Sequence, residues 1–132
     1  MKSTYVTFTT AQRLKEAGYP QPDFATGQVW YNEHGAATLI TKNEGEGVFL
    51  VTSLVTGRQD RFTPTKEGAT FAPFVTDILE RIQNVKETHP NLYFHQSDKV
   101  FVCDDWSHNY DDENAADAVA MVWLSDLIPP AR

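Results

Sequence analysis

Between residues 28 and 62 the chain is interrupted by turn residues every few positions, and this spacing limits what it can fold into. Residues 28–31, 38–41 and 48–52 are short runs rich in β-branched and aromatic side chains. Asn32-Glu33-His34-Gly35, the Asn43-to-Gly47 stretch and Thr56-Gly57 separate them, with Gly45 and Gly47 available for positive φ. Such runs between regularly spaced turns predict an antiparallel meander, with residues 59–62 as a candidate fourth strand.

Helical patterns flank this β region. A short helix is expected from Thr9-Thr10, where Thr9 and Gln12 have capping-box spacing. Ala11, Leu14 and Ala17 share one face, and Gly18 is a natural left-handed stop. About eight residues of helix are not stable alone, so this one is expected to dock through Leu14 and Tyr19. Tyr19-Pro20-Gln21-Pro22 reads as an extended connector. The clearest helix is predicted from about residue 72 to 87, with Pro73 in its first turn. There Phe71, Phe74, Val75, Ile78, Ile82 and Val85 follow the i, i+3, i+4, i+7 pattern. Residues 92–95 and 100–103 are two strands around the tight-turn sequence Gln96-Ser97-Asp98-Lys99, hence a hairpin. Residues 104–113 read as an acidic, polar loop. Asn114 caps a last helix over 115–127, with Asp117 placed to favour the helix dipole. That helix is Ala-rich and nearly apolar around its circumference, so it lies in the centre of the domain or contributes to a homodimer interface.

The resulting order is α–β–β–β–(β)–α–β–β–α. It predicts a single α+β domain over residues 1–132: a β-meander and a hairpin packed with a short N-terminal helix, a central amphipathic helix and an Ala-rich C-terminal helix. The length of 132 residues supports one such core. No apolar run approaches the roughly 20 residues of a membrane span. No secretory leader is expected, and one Cys excludes a disulfide framework or zinc ribbon. Together these predict a cytoplasmic protein with no membrane contact.

The net charge of −7 is uneven. Residues 89–132 hold eight acidic side chains against Lys99 and Arg132, and residues 1–88 are nearly balanced. Without clustered Lys and Arg, binding to a phosphate backbone is not expected. The acidic end is read as a solubility device, a cation site or an acidic decoy for a basic protein.

Several short pieces carry a resemblance. Thr10-Ala11, Leu14-Lys15-Glu16 and Gly18-Tyr19 open the chain, Phe71-Ala72-Pro73 with Ile78-Leu79 marks the central helix, and residues 113–118 mark the closing one. In these the chain resembles small hypothetical proteins encoded by bacteriophages, prophages and related mobile elements. It departs from them in the longer β section at 36–62 and in Phe74, where Thr is usual. The resemblance implies a mobile-element context and transfers no catalytic residue.

Four groups of residues carry candidate chemistry. Asp104, Asp105 and His108, with His95 on the neighbouring strand, have the ligand types for a divalent metal, although not the spacing of a calcium loop. The plainer reading is an acidic loop beside a partly buried Cys103. Cys103 with a histidine would suit a thiol hydrolase, but neighbouring carboxylates raise a thiol pKa and oppose reactivity. The run Asp111-Asp112-Glu113 reads as capping acids before a helix, and no glycine-rich phosphate loop is present. Trp30, Tyr31, Trp106 and Tyr110 are candidate protein-binding aromatics. Trp30 and Tyr31 are adjacent in a strand and point to opposite faces, so one of them is expected to be exposed. The expectation is therefore a non-enzymatic protein-interaction module with no cofactor and no catalytic residue. The alternatives are a metal-dependent hydrolase at His95, Asp104, Asp105 and His108, or the acidic decoy.

Overall fold

The turn-bounded runs become strands in the computed structural model, which describes residues 5–65, 67–86, 91–104 and 109–125. Among the described residues three helices and eight strands form an α+β fold with two antiparallel sheets. Contacts gather in two compact units: Gly18–Ala72, and the segments Met1–Ala17 and Pro73–Arg132 together.

In the first unit, β1 (Val29–Tyr31), β2 (Ala37–Gly45), β3 (Val48–Ser53), β4 (Gln59–Phe62) and β5 (Thr70–Ala72) form one sheet in the order β4-β3-β2-β1-β5. The candidate fourth strand is present as β4. β5 is a departure from the sequence reading, which gave residue 70 to a loop and Phe71 to the helix that follows. Phe71 fits both periods, but its pairing with Trp30 and the proline after Ala72 make the segment a strand. The β2–β3 turn is tighter than its glycines suggest. Gly45 pairs with Val48, leaving only Glu46 and Gly47, at φ 54° and 79°, to turn the chain. Positive φ at both turn residues gives the twist that a two-residue hairpin needs. Ile40 pairs with Val51, whereas Lys42 pairs with Leu50, so Thr41 is an extra residue in β2. This bulge returns Asn43 and Phe49 to the face that carries Ile40 and Val51.

The second unit contains α1 (Phe8–Glu16), α2 (Val75–Lys86), β6 (Asn91–His95), β7 (Val100–Asp104), β8 (Asn109–Asp112) and α3 (Ala115–Ser125). β6, β7 and β8 form a three-stranded sheet. The predicted hairpin is observed, and β8 replaces part of the expected acidic loop. α3 packs against α1, α2, β7 and β8, and residues 115–120 and 122–124 are buried. Of the two placements the sequence left open for this helix, the centre of its unit is the one observed. Ile78, Ile82, Val119, Val122 and Leu14 are fully buried there.

Helix ends differ from the expected ones for identifiable reasons. α1 starts at Phe8 with Thr7 at its N-cap, not at Thr9, and the Thr7 hydroxyl does not cap its own helix. It donates to Asp117 Oδ2 at 2.7 Å, while the Thr7 N–H donates to Asp117 Oδ1 at 2.8 Å. Asp117, 6% exposed, thus fastens the start of α1 to α3 rather than only matching a dipole. Asn114 caps α3 as expected by accepting the Asp117 N–H at 3.0 Å, and its amide also donates to the Tyr5 carbonyl at 3.0 Å. α2 begins at Val75, three residues later than predicted. The Phe74 N–H donates to Asp77 Oδ2 at 2.9 Å, one half of a capping box. Gly18 has φ 92°, the left-handed stop anticipated after α1.

Candidate functional site

Pairing across the five-stranded sheet puts Phe71, Trp30, Thr38 and Ser53 in one row, and Ile40, Val51 and Asp60 in the next, on the same face. Phe49 and Phe62 follow. This face is the floor of a concavity of about 950 Å³, bordered by Phe24 and by the turns around residues 32–36, 56–58 and 63–69. The volume falls in the range of clefts that take ligands or partner side chains. Its floor mixes Trp30, Ile40 and Val51 with Thr38 and Ser53, and its outer edge carries Asp60 and Phe62 from the end strand, with Arg58 in the turn before it.

Gln28 positions the aromatic part. Its Oε1 accepts the Trp30 indole N–H at 2.8 Å and the Ala25 N–H at 2.9 Å, and its Nε2 donates to the Asp23 carbonyl at 3.0 Å. The segment so held brings the Phe24 ring to 4.4 Å from Trp30 and 6.0 Å from Phe49. Trp30 in turn lies 5.2 Å from Phe71. A buried indole with its N–H satisfied is a rigid wall.

Each bordering turn is held by a short polar side chain bonded to its own backbone. Asn32 Oδ1 accepts the N–H groups of His34 and Ala36 at 2.9 and 3.0 Å. Ser53 Oγ accepts those of Val55 and Thr56, both at 3.2 Å. Thr65 Oγ1 accepts that of Gly68 at 3.2 Å. The rim is therefore shaped before any partner arrives. Glu33 and His34 face each other at 3.4 Å and are both largely exposed, a pairing worth little in water. Phe62 is a half-exposed aromatic on this edge: 46% of it is open to solvent, on a strand with all four residues exposed and, among the described residues, a sheet neighbour on one side only.

The residues singled out from the sequence fall in different places. Trp30 and Tyr31 both border the concavity, but both are buried, at 3% and 7% exposure. The expectation that one of them is exposed is corrected. β1 is an interior strand between β2 and β5, and Phe24 and Phe71 lie against Trp30. Tyr110 is half-buried in β8, opposite Cys103, and Trp106 lies outside the described residues.

His95 is not brought close to Asp104. The hairpin pairs His95 with Val100 at its turn and Asp104 with Asn91 at its open end. Four residues of strand, about 13 Å, separate them. His95 Nδ1 lies 3.3 Å from Asp98 Oδ2, within the turn. Asp105 and His108 are outside the described residues. Among the described residues no group of three or more His, Cys, Asp or Glu side chains is arranged to hold a metal ion. Cys103 is fully buried in β7. Asp111 and Asp112 are successive strand residues on opposite faces, and Asp112 Oδ1 accepts the Asn114 N–H at 2.9 Å.

Sequence reasoning missed Phe24, Gln28 and the shared face of Asp60 and Phe62. The last had a signal, because the alternation of the candidate fourth strand puts those two together. No helix among the described residues is long and apolar enough to cross a membrane. Comparisons with protein-family models, characterised proteins and solved structures find no match.

Proposed function

We propose that the chain is a non-enzymatic interaction module that receives a protein partner on the concave face of the β4-β3-β2-β1-β5 sheet. The observation that carries this reading is the half-exposed Phe62 at the edge of a preshaped concavity floored by Trp30, Ile40, Val51, Thr38 and Ser53. Large aromatic groups beside apolar recesses are the usual anchors of protein contacts. The outer side of β4 has no strand beside it among the described residues, although the Arg61 N–H already donates to Asp60 Oδ1 at 2.9 Å, so side chains and not strand addition are the main means of contact. Arg58 and Asp60 supply one charge of each sign along that edge, which favours a partner of mixed polarity over a strongly charged one. A bacteriophage or mobile-element setting, and a cytoplasmic one, belong to this proposal; the first rests on the resemblance of the helix motifs.

The test is affinity capture from a bacterial lysate with the chain and with its Phe62→Asp variant, followed by mass spectrometry. The reading expects a protein retained by the first and lost with the second, while Tyr93→Ser, a change on β6, retains it. Equal capture by the chain and by Phe62→Asp would contradict it.

A further inference from the structure

We draw no further inference here: the strongest candidate, the outer edge of the three-stranded sheet where Tyr93 and Phe94 stand half-exposed on β6, is an unpartnered apolar surface, and nothing in the structure shows what covers it.

Discussion

In the unit built from the two ends of the chain, a nearly apolar helix is covered by α1, α2, β7 and β8, and its one acidic residue, Asp117, is bonded inside. In the unit of residues 18–72, one face of the sheet forms an open concavity and its end strand is exposed along its whole length. Burial in the first serves stability. Exposure in the second leaves apolar groups unused by the fold, where binding energy is available. On the proposed reading, the aromatic-rich, turn-divided region offers the binding surface, while Asp117 and the buried face of α3 serve the fold.

Substitutions should divide along the same line. The largest loss is expected from Ile78→Ala, because Ile78 is fully buried in the helix-centred unit. Emptying such a site costs about 2–5 kcal/mol, read as a fall in the denaturation midpoint. A change of less than a degree in melting temperature would mean that α2 is not packed on α3 as described. Asp117→Ala removes the acceptor for both the N–H and hydroxyl of Thr7, and should cost about 2 kcal/mol. Asp117→Asn keeps one acceptor oxygen and should lose less, and a negligible loss in Asp117→Ala would show that this pairing is not what matters.

Within the sheet unit the effects should be smaller. Gln28→Ala deprives a buried indole N–H of its acceptor and should cost about 1–2 kcal/mol. It should also shift Trp30 fluorescence as Phe24 loses its support, and an unchanged spectrum would count against Gln28 as the organiser of that wall. The smallest effect is expected at Phe62, where replacement by Ser should alter stability by less than about 0.5 kcal/mol in urea titration. A loss comparable to that of Ile78→Ala would place Phe62 in the core and remove the contrast between the units.

Much of this fold was legible because its signals are local. β-Branched and aromatic runs between turns gave β1 to β3, the Thr56-Gly57 turn made residues 59–62 the candidate that became β4, and the Gln96-to-Lys99 turn gave the β6–β7 hairpin. The spacing of Ile78 and Ile82 gave α2, although its start was misplaced by Phe71. What escaped was decided by partners distant in sequence. Asn109–Asp112 has no apolar alternation and is a strand only because β7 offers it an edge to pair with. Asp117 looks like an ordinary first-turn acid, and only the approach of Thr7, 110 residues away, gives it a structural task. At the candidate site, Trp30 was recognisable as an important aromatic, but its burial depends on Phe24 and β5, and neither the Phe24 contact nor β5 was anticipated from local sequence. The His95–Asp104 pairing failed for the converse reason. Antiparallel register fixes the two residues at opposite ends of the hairpin however suggestive their chemistry.

The central claim, that the concave face of residues 18–72 is the binding surface, is tested most directly by hydrogen exchange on the chain alone and on the chain bound to its captured partner. The account predicts that α3 exchanges slowly in both states and that new protection appears along β4 and the turns bordering the concavity. New protection confined to β6 and β7, with β4 unchanged, would contradict it.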